Sequence, residues 1–347
     1  MKSPKIIAIR TVFNHHAKHS GYRQILKYIK PEEVYGVNEK KPNKNYLFRR
    51  YKFLYEIIAK VFSDPKKINL VHIMYGEEYY RLSNILFKSV PIVVTFHQPP
   101  QILKNEITKG NCAGRVMGFL HKINKNRFKK LSAAIVVSEN QKSILSRVIP
   151  KSKIHVLPLG LNFNYLNKFR VENKIKRQNI ILTVGNWQRD WNFYFEFVEK
   201  MQIQKPEFQF ILINRVLPKK YLIKTKKYKN LKYFFNVSTE QLYTYYLKSK
   251  VQFLPLIGST ANNSINESIA LGCPILTNAN ISNFSNSNFY FKIKLDEQSI
   301  KNSIENIFQM KEKEFEKISI SANEKSKKFD WEIIANETIK IYNSVLY

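Results

Sequence analysis

The chain has 347 residues, of which 44% are hydrophobic, enough to fill the cores of two domains of ordinary size. Its two cysteines, Cys112 and Cys273, lie far apart without metal-binding spacing, which excludes a disulfide framework in practice and favours a reducing compartment. The formal net charge of +32 predicts a surface that attracts polyanions such as acidic lipids, nucleic acid or phosphorylated substrates, with codon bias as the alternative explanation for part of it.

The N-terminal segment MKSPKIIAIRTV has an apolar run of strand length and lacks the core of a signal peptide. No stretch of the chain reaches the roughly 18 apolar residues that a membrane span needs. We therefore expect a soluble or peripheral protein of the cytoplasm.

Short β-branched runs alternate with helix-length segments along the whole chain, a pattern typical of parallel sheets. The predicted strands of the first half are Ile6–Arg10, Val71–Met74, Ile92–Phe96, Ala134–Val137 and Ile154–Leu157. Those of the second half are Ile180–Val184, Phe208–Ile213, Leu231–Phe234, Val251–Leu254 and Ile275–Thr277.

A stretch rich in Lys, Asn and Arg, Asn167–Gln178, separates the two series of strands. The sequence therefore predicts an α/β protein with two doubly wound domains, residues 1–167 and 168–328, followed by a helix over 329–347. The helix places apolar side chains and one threonine on a single face, namely Trp331, Ile334, Thr338, Ile341 and Val345.

Loops after the predicted strands of the first half carry chemically useful side chains. His97 follows a strand and precedes Pro99-Pro100, which fixes the turn. The loop after the first strand contains three histidines whose spacing fits no standard zinc motif. The candidates on this side are His19, Gly21, Tyr22, Tyr75, Glu77 and His97.

One class of metal-dependent transferases holds a divalent ion through a D-x-D motif. Only four aspartates occur in the chain, and no two of them have that spacing. Because hard cations prefer clustered carboxylate oxygens, we expect chemistry without a metal.

Two segments of the first half, residues 46–62 and 116–131, interleave basic and aromatic residues. At helical spacing the second segment forms an apolar stripe beside a basic face, which indicates membrane-surface binding. A core helix with a solvated basic face is the alternative, and the residues do not decide between them. The candidate membrane patch comprises Lys122, Lys125, Arg127, Lys129 and Lys130.

In the second half, the segment GNWQRDWNF follows a predicted strand, and its Arg189 offers a guanidinium suited to phosphate oxygens. The alternative is a solvated arginine paired with Asp190. Asn214 also follows a strand, at the edge where ligands bind in open sheets. The next loop and helix start contribute Asn236, Val237 and Gln241 as weaker candidates.

The most informative stretch is Leu256–Thr277, in which an Asn-rich loop leads into a short helix that carries Glu267 and stops at Gly272. A helix N-terminus preceded by a polar loop binds phosphates through its free N–H groups. An acid further along can accept hydrogen bonds from ribose hydroxyls, as in dinucleotide folds. An ordinary capped core helix is the alternative.

The letters ANNSINESIALGCPI resemble the nucleotide-sugar segment of retaining glycosyltransferases of the GT-B fold, family four. That pattern, E-A-x-A-x-G-x-P-V, is matched at Glu267, Ala270, Gly272 and Pro274. The acid that the family carries near position 259 is absent, as in a subgroup with T-A-N-N at this point. The basic residues with which the family grips the pyrophosphate fall at Asn186 and Trp191, so Arg189 is the expected substitute.

The resemblance implies two Rossmann-like domains facing a cleft, with the C-terminal helix crossing back to the first domain. It implies catalytic roles for His97, Arg189 and Glu267. It implies an acceptor side that includes His19, Tyr22, Tyr75 and Glu77. Expected donor contacts are Gly21, Asn186, Asn214, Asn236, Val237, Gln241, Thr260, Asn262, Asn263 and Ser264.

The resemblance thus predicts a retaining, metal-independent glycosyltransferase without a cofactor. It would move a sugar from a nucleoside diphosphate to a lipid-linked or oligosaccharide acceptor in bacterial surface polysaccharide synthesis, at the inner face of the plasma membrane. Three alternatives stay open: a GT-B-like protein with impaired catalysis, a charge-driven binder of anionic membrane or nucleic acid, and, more remotely, a sugar-nucleotide epimerase. Nucleic acid is not an expected partner, because no recognition module is present.

Overall fold

The computed structural model describes residues 5–12, 21–38, 68–76, 90–109, 127–258 and 262–347. The chain divides into two compact units, each described by itself. The first unit comprises residues 1–160 and 331–347, and the second comprises residues 161–330.

The strands of the described ranges are β1 (Ile6–Val12), β2 (Glu33–Asn38), β3 (Leu70–Ile73), β4 (Ile92–Phe96), β5 (Ala133–Val136), β6 (Ile154–Val156), β7 (Gln178–Val184), β8 (Gln209–Asn214), β9 (Leu231–Phe235), β10 (Ser249–Leu254), β11 (Ile275–Thr277) and β12 (Tyr290–Lys292). The α-helices there are α1 (Leu26–Ile29), α2 (Pro100–Lys109), α3 (Glu139–Leu145), α4 (Phe163–Glu172), α5 (Trp191–Gln204), α6 (Lys219–Thr225), α7 (Thr239–Lys248), α8 (Asn263–Ala270), α9 (Glu297–Gln309), α10 (Glu312–Ser326) and α11 (Trp331–Leu346). None of these helices combines the length and the hydropathy that crossing a membrane requires.

Within the described ranges each unit contains one six-stranded parallel sheet. The first has the order β2-β1-β3-β4-β5-β6, and the second has the order β12-β11-β10-β7-β8-β9. The order reverses between β1 and β3 in one sheet and between β7 and β10 in the other. Ligands of open α/β sheets bind at such reversals, beyond the carboxyl ends of the strands.

The central strands are apolar on both faces because helices cover the sheets on both sides. In β7, Ile180 and Leu182 belong to one core cluster, while Ile181 belongs to the cluster on the opposite face. This double burial is why the predicted strands read as continuous β-branched runs, and all ten of them are present in the structure.

Two edge strands, β2 and β12, were not predicted from the sequence. The β2 segment contains Gly36 and leaves Val34 exposed, so it lacks the continuous apolar signal of a buried strand. The β12 strand has only three residues. Because edge strands are less buried, they need not be continuously apolar, and their composition therefore distinguishes them poorly from loops.

The first unit includes α11, whose buried face contains Trp331, Ile334, Thr338 and Ile341, together with Tyr342. Val345, at the end of the predicted face, is half-buried. A Cβ added to Gly160 would lie 2.3 Å from the Trp331 ring, so glycine permits this close approach.

The predicted boundary after residue 167 falls inside α4, whereas the structure divides the chain after Gly160. Phe163 and Leu166 of α4 pack into the core of the second unit. A helix that follows a short strand and precedes a polar stretch gives no local signal of the unit to which it belongs.

Candidate functional site

Three loops meet at the carboxyl edge of the second sheet, beside the reversal between β7 and β10. The loops after β7 and β10 pair through Asp190 N to Pro255 O at 2.9 Å and Ile257 N to Gln188 O at 3.1 Å. The loop after β11 joins them, since Leu256 N donates to Asn278 Oδ1 at 2.8 Å. This framework gives the β7–α5 turn a defined shape.

The β7–α5 turn begins at Gly185, whose φ of 83° favours glycine. A Cβ at this position would lie 3.1 Å from Arg189 Nη2, so the guanidinium lies directly against the glycine. The turn ends at Asp190, whose carboxylate accepts from Phe193 N at 3.1 Å and caps α5.

Arg189 is buried, with 6% of its surface exposed, and its guanidinium contacts three neutral oxygen atoms. Nη2 donates to Val184 O at 2.7 Å and to Ser264 Oγ at 3.0 Å, and Nη1 donates to Trp187 O at 2.8 Å. Burial lowers the pKa of Arg189 to about 10, so the group stays charged at neutral pH.

No carboxylate of the described residues forms an ion pair with Arg189, and the alternative of a solvated arginine paired with Asp190 is wrong. The nearest helix ends are the N-termini of α5 and α8, which carry partial positive charge. A buried cation is costly without an opposite charge. The arrangement therefore favours an anionic ligand at this edge of the sheet.

The start of α8 lies against the guanidinium. Asn262 is the N-cap, and its Oδ1 accepts from Ser264 N at 3.2 Å and from Ser264 Oγ at 2.7 Å. Because the same hydroxyl accepts from Arg189, the structure brings Arg189, Asn262 and Ser264 together. Asn263 opens the helix and is half-buried.

Glu267 lies three residues after Ser264, on the same buried side of α8, and only 7% of its surface is exposed. Burial raises the pKa of Glu267 to about 8. None of the described residues donates a hydrogen bond to its carboxylate. A buried carboxyl group of this kind is held neutral until a ligand supplies donors or charge.

Two other predicted donor residues lie together at the ends of β8 and β9. Asn214 is buried, its Oδ1 accepts from Tyr233 OH at 3.0 Å, and its carbonyl accepts from Asn236 N at 3.2 Å. The side-chain amide nitrogen of Asn214 has no hydrogen-bond partner among the described residues. Asn236 is exposed and has a φ of 51°.

The remaining donor candidates have less specific surroundings. Asn186 is exposed in the β7–α5 turn. Val237 packs against the core of the second unit. Gln241 forms a capping box with Ser238 at the start of α7, so its side chain already has a structural role.

In the first unit, three predicted residues form an aromatic cluster at the carboxyl ends of β1, β3 and β4. The Tyr22 and His97 rings lie 4.5 Å apart, and the Tyr75 and His97 rings lie 4.9 Å apart. Gly21 precedes this cluster with a φ of 88° and opens the 3-10 turn that carries Tyr22.

His97 donates from Nε2 to Met74 O at 3.0 Å, because a carbonyl oxygen can only accept, and this bond fixes the tautomer. Burial lowers the pKa of His97 to about 4, although part of its surface remains accessible. The ring is therefore neutral at physiological pH and acts through hydrogen bonds and not through charge.

Sequence reasoning missed a buried polar network beneath this cluster. His72 Nε2 lies 2.8 Å from Thr95 Oγ1, and its Nδ1 lies 2.6 Å from Tyr342 OH on α11. Tyr22 OH lies 3.0 Å from the same threonine. Burial lowers the pKa of His72 to about 3, so the network is uncharged. The sequence signal for this network was the presence of polar residues, His72 and Thr95, within otherwise apolar strands.

Five predicted residues lie outside the described ranges: His19, Glu77, Lys122, Lys125 and Thr260. The backbone of Arg127 is described but its side chain is not, while Lys129 and Lys130 are exposed on a 3-10 turn. Within the described ranges no three His, Cys, Asp or Glu side chains are grouped as potential metal ligands.

No family model matches the sequence, and no curated protein matches it. Solved structures do match over the full length. A glycosyltransferase from Rickettsia africae has 14% identity and a TM-score of 0.66, with 100% of this chain and 99% of that chain covered. Sucrose-phosphate synthase from Thermosynechococcus elongatus has 15% identity and a TM-score of 0.69, with 99% of each chain covered.

The catalytic domain of starch synthase IV from Arabidopsis thaliana, solved with ADP and acarbose, has 11% identity and a TM-score of 0.65, with 99% of this chain and 100% of that chain covered. At such identities the likeness shows the fold. The predicted fold class, α/β with two parallel-sheet units as in GT-B glycosyltransferases, is confirmed.

Proposed function

We propose that this protein is a retaining, metal-independent glycosyltransferase that uses a nucleoside-diphosphate sugar. The acceptor in this proposal is a lipid-linked or oligosaccharide hydroxyl in bacterial surface polysaccharide synthesis. The proposal includes membership of family four, T-A-N-N subgroup. The solved structures that the chain resembles include a glycosyltransferase, a sucrose-phosphate synthase and a starch synthase, which supports the reaction class.

The observation that carries the proposal is the buried guanidinium of Arg189, which bonds only to neutral oxygens among the described residues. The N-termini of α5 and α8 add positive potential at the same place. A diphosphate supplies the missing negative charge. As the bond to the sugar breaks, charge grows on the departing diphosphate, and fixed positive groups stabilise that charge most.

Glu267 is proposed to hold the ribose of the donor. Two hydroxyl donors would stabilise the ionised carboxylate, so its raised pKa should fall when the donor binds. Donor binding near neutral pH should therefore release protons from the protein. This coupling distinguishes a ribose contact from a purely structural acid.

In the proposed reaction the bond between the anomeric carbon and the diphosphate breaks, and a bond to the acceptor oxygen forms on the same face. The acceptor proton passes to the departing diphosphate, since no dedicated base stands out among the described residues. His97 is assigned a contact with the transferred sugar, with its neutral ring as a hydrogen-bonding group. Tyr22 and Tyr75 are assigned to the acceptor side.

An acceptor carried by a lipid would bring the enzyme to the inner face of the plasma membrane. The exposed Lys129 and Lys130 and the basic segment 116–131 support attraction to an anionic leaflet. Peripheral association of a cytoplasmic enzyme is therefore part of the proposal.

The deciding experiment is calorimetric titration of the full chain with ADP, UDP and GDP. Arg189→Met should weaken the best ligand by about 30-fold or more, because the side chain keeps its volume and loses its charge. Glu267→Ala should weaken it less and should abolish proton release, measured in buffers of different ionisation enthalpy.

Glu314→Ala, an exposed acid on α10, is the matched control for Glu267 and should bind as wild type. Equal affinities for wild type and Arg189→Met would refute the diphosphate site. Anomeric configuration and linkage then follow from NMR of the product formed with a radiolabelled sugar-nucleotide panel, and inversion at the anomeric carbon would refute retention.

A further inference from the structure

One stretch of the second unit, residues 215–235, contains eight lysine or arginine residues and no acidic residue. It comprises the loop after β8, helix α6, the following turn and strand β9, which is the edge strand of its sheet. Several large apolar side chains are exposed here as well: Val216, Leu222, Ile223 and Phe235.

The orientation of α6 is fixed by its inner face. Tyr221 stacks on Phe195 at 5.0 Å between ring centroids, and its hydroxyl donates to Asn192 Oδ1 at 2.6 Å. Thr225, one turn later, is also buried. Since these contacts hold one side of the helix, its opposite side is presented outward.

The outward side of α6 and its first following residues form a surface that we term the basic edge, defined by Lys219, Ile223, Lys226 and Lys227. Ile223 lies four residues after Lys219 and three before Lys226, so the three side chains share one face. All four are exposed, and 62% of the surface of Ile223 is accessible.

The charges of the basic edge are not balanced locally. Lys224 lies 3.9 Å from Glu199, on the inner flank of the helix. No ion pair within the described ranges involves Lys219, Lys226 or Lys227. By contrast, Lys311, Lys313 and Lys317 alternate with three glutamates at positions 312, 314 and 316.

We propose that the basic edge binds the anionic lipid surface of a membrane, with Ile223 inserted at the headgroup boundary and the lysines around it contacting phosphates. Lysines alone would fit any polyanion. An exposed isoleucine at their centre stabilises the complex only where its side chain leaves water. A nucleic acid offers such an environment only between bases that have been unstacked, at a cost of a few kcal/mol per step. The proposal concerns a surface of the second unit and does not depend on glycosyl transfer.

The test is sedimentation of the full chain with vesicles of phosphatidylglycerol and phosphatidylcholine, and with vesicles of phosphatidylcholine alone. The triple variant Lys219→Gln, Lys226→Gln, Lys227→Gln should bind the anionic vesicles about tenfold or more weakly. The control triple Lys311→Gln, Lys313→Gln, Lys317→Gln removes the same charge from the mixed-charge helix and should bind as wild type.

Insertion is tested separately with Ile223→Ala, which should weaken vesicle binding several-fold. Its control is Ile203→Ala, an even more exposed isoleucine on α5 with 82% of its surface accessible. Equal losses for the two triples, or for the two isoleucine variants, overturn the proposal. The proposal is also overturned if polyuridylate binding depends on the three lysines and Ile223→Ala leaves vesicle binding unchanged. That pair of results would assign the surface to nucleic acid.

Discussion

Two arginines of the second unit flank the same strand and differ in how their charge is balanced. Arg177 immediately precedes β7, and Arg189 follows it after a four-residue turn segment. Arg177 donates to the carbonyls of Tyr246 and Ser249 at 2.9 and 2.7 Å, and to those of Leu271 and Gly272 at 2.8 and 2.7 Å. These carbonyls lie at the C-terminal ends of α7 and α8.

The difference follows from the direction of a parallel α/β unit. Helices end at the amino edge of the sheet, so Arg177 lies among partial negative charges that compensate its own. Helices begin at the carboxyl edge, so Arg189 lies among partial positive charges that add to its own. The positive charge of Arg177 is therefore compensated without a ligand, whereas the positive charge of Arg189 is available to bind an anionic ligand.

The largest expected effect is on stability. Arg177→Met should lower the free energy of unfolding by about 3–5 kcal/mol, because four buried carbonyls lose a charged donor. Arg189→Met should change it much less, because removing an uncompensated buried charge offsets the lost hydrogen bonds. Urea unfolding without ligand measures both. An equal loss in the two variants would contradict the comparison.

The pH dependence of stability tests the buried carboxyl group of Glu267 on α8. Glu267 has a folded-state pKa of about 8, above the value of 4.5 for the free group. Between these pH values the folded protein binds more protons than the unfolded one, so stability falls as pH rises from about 4.5 to 8. Within this range the loss approaches about 1.4 kcal/mol for each pH unit.

Glu267→Gln should flatten this pH profile and should make the protein more stable than wild type above pH 8. The matched control is Glu316→Gln, an exposed acid near Arg177 that pairs with Arg170 at 3.5 Å. The profile of that variant should follow wild type. An unchanged slope in Glu267→Gln would mean that the carboxyl group is ionised in the folded state.

Each of the two arginines contacts a glycine, Gly272 at Arg177 and Gly185 at Arg189, so the two sites can be tested by matched substitutions. A Cβ at Gly272, with a φ of 68°, would lie 2.2 Å from Ser319 Oγ and 3.0 Å from Ser319 O. Gly272→Ala should therefore cost about 2–3 kcal/mol of stability. Gly185→Ala meets only the end of the Arg189 side chain, so it should cost about 1 kcal/mol while weakening nucleotide binding several-fold. Thermal unfolding and titration distinguish the two outcomes.

The smallest expected effect concerns the one hydroxyl that each guanidinium contacts. Ser264→Ala removes an acceptor 3.0 Å from Arg189 Nη2 and should cost about 1 kcal/mol, with a matching loss of diphosphate affinity. Ser319→Ala removes a longer contact of 3.3 Å to Arg177 and should cost about 0.5 kcal/mol without changing affinity. Affinity that falls equally in both variants would remove the distinction between the two arginines.

The elements of this protein were largely predictable, but their assignment to units was not. Runs such as Ile180–Val184 are apolar because they are buried on both faces, and that signal is local. The ends of α8 were also readable, because Asn262 caps its start and Gly272, with positive φ, follows its end. The edge strand β2 and the membership of α4 depend on neighbours that are distant in sequence.

The sequence identified Arg189 by its residue type and position after a strand, Glu267 by its place on a short helix, and Ser264 through the family resemblance. Only the tertiary structure decided that the guanidinium is buried without a carboxylate, that Ser264 accepts from it, and that Glu267 lacks a donor among the described residues. It also decided that His72 connects Thr95 to Tyr342, 270 positions away. The reason is physical: burial and charge balance are sums over atoms that folding brings together, and no single segment contains them.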